Sequence, residues 1–146
     1  MTDDLRLVFP GTTVAVRTAL LKMVGNLQQL DLDAEKIGSI ELVVAEALNN
    51  IVEHAFAEQN GRIDLRLTNG ERGLYCAIED DGSPMPDGRP PIGNPPDLSV
   101  DLQDLPEGGF GWFLIREITR DLGYERVENH NRLTFRIPVG DEFTPS

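Results

Sequence analysis

Residues 40–57, IELVVAEALNNIVEHAFA, carry the clearest helical pattern in the chain. Apolar residues recur there at spacings of three and four, which predicts a helix with one buried face. These positions are Ile40, Val43, Val44, Ala47, Leu48, Ile51 and Ala55. Glu46, Asn50 and His54 stand four apart in the same stretch, so they are expected to line one edge of the helix.

That polar edge has two interpretations. A carboxylate one turn away from an amide oxygen can place a proton acceptor beside a ligand for a hard cation. A solvated polar stripe on a half-exposed helix would give the same pattern. The helical spacing alone leaves both interpretations open.

Alternating apolar and polar positions predict five β-strands in the rest of the chain. They cover residues 5–9, 62–68, 74–79, 124–128 and 132–138. The turn signal Asn69-Gly70, together with Gly73, joins the second and third strands into a hairpin. Each strand is apolar on one side only, which predicts a sheet with one face covered by helices and the other largely facing water.

Capping residues mark where the helices begin. Thr12 or Thr13 can cap a first helix that runs to about residue 30, and Asp31 or Asp33 can cap the central helix, which ends near residue 58. The stretch WFLIREITRDL, residues 112–122, predicts the last helix. The resulting order, β-α-α-β-β-loop-α-β-β, predicts an α/β (α+β) two-layer sandwich.

Length, charge and cysteine content narrow the class of protein. A chain of 146 residues is long enough for one domain with a real core, so residues 1–146 are expected to form a single domain. The net charge of -12 argues against nucleic acid and against anionic membranes, although a bound cation could still neutralise a nucleotide's phosphates. The lone Cys76 fits a reducing compartment, and no secretory signal or membrane-length apolar run is found, so a cytoplasmic location is expected.

A long proline-rich loop separates the third strand from the last helix. Residues 83–107 contain seven of the chain's ten prolines, five acidic residues and a single basic residue, Arg89. A loop of this length inside a compact domain is typical of a functional lid, which is the interpretation we favour. An inert insertion is the alternative.

Glycine-containing turns lie on both sides of this loop. Asp80, at the end of a strand, could accept a hydrogen bond from a ligand amine, and Gly82 would let a planar ring approach the backbone. Gly108, Gly109 and Gly111 precede or begin the last helix, where uncovered N–H groups favour an anion. Taken singly, each segment could equally be a simple turn or a hinge.

Together these segments resemble the GHKL ATP-binding superfamily. EALNN, DDG and GGFG are similar to its N, G1 and G2 boxes, and they occur in the same order. The segments VVAEALNNIVEHAF, DDGSPMP, GGFGWFLIREITRDLGY and RLTFRIP resemble its short single-domain members, the anti-sigma-factor serine kinases of bacterial partner-switching systems. The resemblance covers about residues 5–139. It implies the GHKL fold, a mixed, mainly antiparallel sheet with three helices on one face.

The resemblance assigns roles to the central helix. It implies that Glu46 is the catalytic base that orients an attacking hydroxyl or water, and that Asn50 binds Mg²⁺ through its side-chain oxygen beside bound ATP. His54 is expected to be a packing or capping residue, and Asn49 has no assigned role. Arg116, in the last helix, is equally consistent with a surface charge.

The resemblance also assigns roles to the glycine-containing turns. Asp80 would receive the exocyclic amine of adenine, with Gly82 beside the ring. Gly108, Gly109 and Gly111 belong to the segment that would bind the nucleotide, and the backbone N–H groups of Gly109 and Gly111 would contact the phosphates. ATP and Mg²⁺ are therefore the expected cofactors.

The resemblance implies a kinase that phosphorylates an anti-anti-sigma (antagonist) protein and alternately sequesters a sigma factor. An ATP-dependent binding module without phosphotransfer, or a histidine-kinase-like ATPase domain, are the alternatives. Glu46 favours the first over the second, and the internal position of His54 weighs against the third.

Because Arg89 is the loop's only cation, positive charge at the terminal phosphate would come from Mg²⁺, helix-end amides or a partner's arginine. Relatives dimerise, so a homodimer through an unpaired edge strand near the N-terminus is expected.

Overall fold

The computed structural model describes residues 4–56, 61–85, 88, 90 and 109–138. Three α-helices, one short π-helical segment and five strands lie in these ranges. In chain order they are β1 (Leu5–Pro10), α1 (Thr13–Leu27), α2 (Ala34–Asn50), the π segment (Ile51–Ala55), β2 (Arg62–Gly70), β3 (Gly73–Asp80), α3 (Gly109–Ile118), β4 (Arg120–Val127) and β5 (His130–Ile137).

The five strands form one sheet in the order β1-β2-β3-β5-β4. All four neighbouring pairs are antiparallel. The predicted α/β two-layer fold is confirmed. The sheet was expected to be mixed and mainly antiparallel, and among the described strands it is antiparallel throughout. The register between β3 and β5 places Asp80 opposite Asn131, which matters for the site described below.

One face of the sheet is buried under the helices, as the alternating pattern predicts. The inward-facing residues of the three central strands are almost fully buried: Ile63, Leu65, Leu67, Leu74, Cys76, Ile78, Leu133, Phe135 and Ile137. Every apolar position predicted for the buried face of the central helix is buried as well. The hydrophobic core therefore lies between α2 and the sheet, and burial of this apolar area stabilises both layers.

The predicted caps of the first two helices are confirmed, with small differences in length. Thr12 Oγ1 accepts from the backbone N–H of Ala15, and Asp33 Oδ1 accepts from the N–H of Lys36 at 2.8 Å. Helix α1 ends at Leu27 rather than near residue 30. Helix α2 ends at Asn50, because the chain continues as the π segment instead of as one uninterrupted α-helix.

The predicted bounds of the last helix were wrong at both ends. Helix α3 begins at Gly109, inside the glycine-containing turn, and ends at Ile118 rather than at residue 122. Thr119 Oγ1 donates to the carbonyl of Ile115 at 2.7 Å, and β4 begins at the next residue. The residues predicted as the end of the helix instead form the start of β4. There the strand register shifts between Arg120 and Gly123, and Asp121 has a φ of 57.

A tight turn joins β4 to β5 and sets their register. Glu128 and Asn129 both have positive φ, 49 and 68, which is the backbone of a type I′ hairpin turn. Val127 therefore pairs directly with His130. This register places Asn131 on the buried face of the sheet, at the end of β5 that lies beside Asp80.

Two sequence predictions fall largely outside the described residues. Of the predicted lid at 83–107, the structure describes residues 83–85, 88 and 90, so the lid stays a prediction, as does the single domain spanning residues 1–146. Gly108 also lies outside the described part of the chain. Within the described ranges, every helix is too short or too polar to cross a membrane.

Candidate functional site

The C-terminal end of α2 carries the first group of site residues. Glu46 is half-buried and Asn50 is buried, one helical turn further on. Asn50 Nδ2 donates to the backbone carbonyl of Glu46 at 2.8 Å. Because that hydrogen bond fixes the amide group, Asn50 Oδ1 is directed away from it and remains able to act as an oxygen ligand.

The first turn of α3 lies against these two side chains. A Cβ atom built on Gly111 would stand 2.4 Å from Glu46 Oε2 and 3.8 Å from Asn50 Nδ2, so any larger residue here would require the Glu46 carboxylate to move. Gly109 and Gly111 lie in the first turn of α3, where backbone N–H groups have no acceptor within the helix. The structure thus brings the Glu46 carboxylate and the Asn50 side chain close to the first turn of α3.

The environment of Glu46 favours its protonated form. Burial raises the pKa of Glu46 above its ordinary value, and the nearby charge of Glu53 raises it further. A carboxylate with a raised pKa binds a proton more readily, which is the property required of a general base near neutral pH.

The chain continues past Asn50 as the π segment, Ile51–Ala55. Its backbone closes with a bond from Phe56 N–H to the carbonyl of Ile51 at 3.2 Å, the wider spacing of a π-turn. His54 lies in the last turn of this segment and is exposed, which argues against a packing role, while the expected capping role stays a prediction. The carbonyl of Ala55 accepts from the N–H of Ser83 at 3.0 Å, which joins this end of the helix to the turn after β3.

Asp80 forms the second group, on the buried face of the sheet. Asp80 as a residue is 4% exposed, and its Oδ1 accepts from the backbone N–H of Gly82 at 2.9 Å and from Asn131 Nδ2 at 2.8 Å. Oδ2 receives no hydrogen bond from the residues that the structure describes. Burial is the largest influence on Asp80 and raises its pKa, while the bonds from Asn131 and Gly82 act in the opposite direction. One carboxylate oxygen is thus left to accept from a ligand donor.

Gly82 is required by a protein contact. A Cβ atom at this position would lie 2.6 Å from the carbonyl oxygen of Ala55 and 2.7 Å from its Cβ. The turn after Asp80 therefore packs directly on the π segment, which connects the two groups of site residues. The predicted contact of Gly82 with a planar ring stays a prediction.

Sequence reasoning missed three residues of the β4–β5 hairpin that surround Asp80. Asn131 is 4% exposed and also donates to the carbonyl of Ser83 at 2.8 Å. Tyr124 donates its hydroxyl proton to Asn131 Oδ1, and Arg126 Nη1 donates to the carbonyl of Gly82 at 2.6 Å. The sequence did contain a signal for Asn131. Inward-facing and outward-facing positions alternate along β5, and this alternation, continued from the apolar residues towards the start of the strand, makes the polar residue Asn131 face inward.

Arg116 contacts the proline-rich loop. Its guanidinium Nη2 donates to the carbonyl of Pro90 at 3.0 Å, although Arg116 itself is exposed. It is therefore more than an isolated surface charge, because it links α3 to a described residue of the loop.

A groove also lies on the outer face of the sheet. It encloses about 300 Å³ and is lined mainly by charged residues, Arg6, Asp64 and Glu79 among them. Arg6 donates to both oxygens of Asp64, at 2.8 and 3.2 Å, and these bonds lower the pKa of Asp64. Much of the charge in this groove is satisfied within the protein. Of the predicted site residues that the structure describes, Asp80 lines the groove, whereas Glu46, Asn50 and Gly111 do not.

The chemistry of the first group suits a cation that also binds the ligand. Among the described residues, no three His, Cys, Asp or Glu side chains cluster to hold a metal. A hard cation at Asn50 would therefore complete its shell with ligand oxygens and water, which is the habit of Mg²⁺. The oxygen that Asn50 leaves available fits such a cation.

The chain matches a known family over most of its length. The family described as "Histidine kinase-like ATPase domain" matches residues 9–137. Curated relatives include "Serine-protein kinase RsbW" of Halalkalibacterium halodurans, 30% identical over 118 residues, or 80% of this chain and 72% of the relative. The protein of the same name from Bacillus cereus is 27% identical over 122 residues, or 82% of this chain and 76% of the relative.

A solved structure supports the fold. The chain resembles the histidine kinase domain from the Erythrobacter litoralis EL346 blue-light activated histidine kinase, with a TM-score of 0.51 and 21% identity. The match covers 84% of this chain and 60% of that one. At this identity the likeness concerns the arrangement of helices and strands alone.

Proposed function

Because the chain belongs to the family of histidine kinase-like ATPase domains, we propose that it is an ATP-dependent protein serine/threonine kinase with Mg²⁺ as cofactor. Its substrate is an anti-anti-sigma (antagonist) protein, and in its other state it sequesters a sigma factor. The observation that carries the proposal is the close approach of Gly111, in the first turn of α3, to the side chains of Glu46 and Asn50. It supports the proposed roles of Glu46 as base, Asn50 as cation ligand and the helix N–H groups as phosphate ligands. The names of the curated relatives support serine as the acceptor.

The base of ATP binds at Asp80. Asp80 Oδ2 accepts a hydrogen bond from the exocyclic amine of adenine, and Gly82 lies beside the adenine ring. The triphosphate extends toward α3, where N–H groups of Gly109 and Gly111 bind phosphate oxygens. Gly108 belongs to the same segment, and its role rests on the resemblance in sequence.

Glu46 acts on the acceptor rather than on ATP. The serine oxygen forms a bond to the terminal phosphorus, the bond from that phosphorus to the oxygen of the ADP leaving group breaks, and Glu46 accepts the serine proton. Asn50 Oδ1 would hold Mg²⁺, which would supply positive charge to the phosphate oxygens. The raised pKa of Glu46 supports its role as the proton acceptor.

The edge of the sheet supports the proposal of a homodimer. Strand β1 is the terminal strand of the sheet order, so one of its edges is not paired within the described sheet. Such an edge can pair with a second copy of the chain. The net charge of -12 supports protein partners over nucleic acid or an anionic membrane, and we propose a cytoplasmic location.

The proposal is tested by phosphate transfer. The protein is incubated with Mg²⁺, ATP labelled at the terminal phosphate and the antagonist protein encoded next to it, and a matched antagonist with its acceptor serine changed to alanine serves as the control. We expect label on the first antagonist and none on the second. ATP binding without transfer to the correct antagonist would instead favour the ATP-dependent binding module, and an absence of ATP binding would contradict both.

A further inference from the structure

Asn131 is the most completely bonded polar side chain near the site. A neutral amide has two N–H donors and an oxygen with two lone pairs. Nδ2 donates to Asp80 Oδ1 and to the carbonyl of Ser83, both at 2.8 Å. Oδ1 accepts from the Tyr124 hydroxyl and from Arg126 Nη1, the latter at 3.0 Å. Its bonding capacity is therefore fully used.

Tyr124 extends this arrangement to the start of the proline-rich loop. Its hydroxyl donates to Asn131 Oδ1 and accepts from the backbone N–H of Met85 at 3.0 Å. Two side chains of the β4–β5 hairpin thus connect the Asp80 carboxylate with the backbone at residues 83–85. We call Asn131 and Tyr124 the hairpin clamp.

The clamp has a direct consequence for the acceptor oxygen of Asp80. Because Asn131 and the N–H of Gly82 both donate to Oδ1, the carboxylate cannot rotate without losing two buried hydrogen bonds. The remaining oxygen then faces any ligand as a pure acceptor. A pure acceptor discriminates between bases, since adenine presents an amine donor where guanine presents a carbonyl oxygen.

We propose that Tyr124 and Asn131 are positioning residues for base recognition, and that they couple the Asp80 carboxylate to the backbone at residues 83–85. This inference rests on the proposed function, because it requires Asp80 to bind the base. It goes beyond that function by assigning the preference for adenine to a hydrogen-bonded clamp on the opposite hairpin, whose residues are not themselves placed in contact with the nucleotide.

The test is a double-mutant cycle on nucleotide affinity. The parent, Tyr124→Phe, Asp80→Asn and the double variant are titrated with ATP and with GTP by displacement of a fluorescent nucleotide. Tyr124→Phe removes one hydroxyl and leaves the ring in place, so folding should be retained. Tyr75→Phe is the matched control, because Tyr75 is the chain's other tyrosine and lies exposed on the outer face of the sheet.

We expect Tyr124→Phe to weaken ATP binding by about 5- to 10-fold, the size of one lost buried hydrogen bond, and to lower the ratio of ATP to GTP affinity. In the Asp80→Asn background the same change should weaken ATP by less than about twofold, because the clamped group has already been altered. Tyr75→Phe should leave the affinities for ATP and GTP at the parent values.

The other outcomes separate the two proposals. Equal losses from Tyr124→Phe in both backgrounds, or a lower unfolding temperature with an unchanged ratio of ATP to GTP affinity, would mean that the clamp is only structural and would overturn the coupling. A parent protein that binds neither nucleotide would overturn the proposed function, and the coupling with it.

Discussion

Asp80, at one end of the candidate site, is fixed by hydrogen bonds from the neighbouring strand and turn, whereas Glu46 and Asn50, at the other end, come from a single helix. We call the part of the site around Asp80 the base end and the part around Glu46 and Asn50 the phosphate end, after their proposed roles. At the base end, the Asp80 carboxylate already accepts two hydrogen bonds from the protein, and one of its oxygens is left over. The phosphate end holds a half-buried acid with a raised pKa and an amide oxygen ready for a cation. In the proposed function, the Asp80 end recognises the base through groups already in place, whereas the other end would be completed only when Mg²⁺ and phosphate bind.

The difference shows how each end can fail. A site held by a saturated network loses ligand affinity when one member changes, because the remaining groups are left unsatisfied. A site that depends on a general base and a cation can still bind its ligand after a substitution that stops the reaction. The predictions below test this contrast, beginning with the largest expected effect.

Glu46→Gln should separate chemistry from binding at the phosphate end. Glutamine keeps the shape of the side chain but cannot accept the serine proton, so transfer to the antagonist should fall by about 10²–10⁴-fold. ATP affinity should stay near that of the parent. Initial rates of labelled transfer measure the effect, with Glu41→Gln on the exposed side of α2 as the control. A Glu46→Gln protein that transfers phosphate at the parent rate would contradict the role of base.

Asp80→Asn should damage binding itself. The amide can present a donor to the adenine amine in place of the charged acceptor, so ATP affinity should fall by roughly 10- to 100-fold. Calorimetric titration with ATP measures this change. Asp81→Asn is the matched control, because Asp81 is exposed and, among the described residues, its Oδ1 accepts a single hydrogen bond, from the backbone N–H of Arg62. Equal ATP affinity of the Asp80 variant and the parent would remove the base end from the proposal.

Gly82→Ala tests the contact that joins the two ends. The added methyl group would meet the backbone of Ala55, which cannot move as a side chain could, so the free energy of unfolding should fall by about 1–3 kcal/mol. Urea unfolding measures it. At Gly38, in α2, an added Cβ would meet no atom within 4 Å, and Gly38→Ala should instead gain about 0.5–1 kcal/mol. Similar unfolding free energies for the two variants would argue against this close packing.

Asn50→Ala should weaken ATP binding, and the size of this effect should depend on magnesium. Loss of one oxygen ligand should reduce affinity by about tenfold with Mg²⁺ present, as expected for one interaction with a charged group. The loss should be much smaller when EDTA removes the metal. Asn49→Ala serves as control, since Asn49 is the exposed neighbour. An effect of equal size with and without Mg²⁺ would show that Asn50 acts on the fold and not on the cation.

Glu46→Gln should also stabilise the protein slightly at neutral pH. The pKa of Glu46 is raised on folding, so its contribution favours folding at low pH and is lost as the pH rises through the raised pKa. At pH 7 the buried charge opposes folding, and the neutral amide removes that cost. Thermal unfolding of parent and variant at pH 7 and at pH 4 should show a gain that is larger at pH 7. A larger gain at pH 4 would contradict the direction of the pKa shift.

Much of the fold could be predicted from the sequence because its signals are local. The spacing of apolar residues located α2 and its buried face, and Thr12 and Asp33 marked two helix starts through bonds to residues three positions away. The end of α3 could not be found this way. A helical pattern continues past Ile118 in the sequence, but Asp121 takes a left-handed backbone and its carboxylate pairs with Arg136 of β5 at 3.1 Å. That contact depends on a strand which the local pattern does not contain.

The sequence by itself determined the order of the elements, the one-sided sheet and the segments that carry Glu46, Asn50, Asp80 and the glycines, because periodicity and motif spacing are properties of neighbouring residues. Only the tertiary structure decided that Gly111 lies against Glu46, and that Asn131 holds Asp80 from 51 positions further along the chain. Such contacts arise where strand register and helix packing bring distant residues within hydrogen-bond reach, and nothing in the local pattern specifies that register.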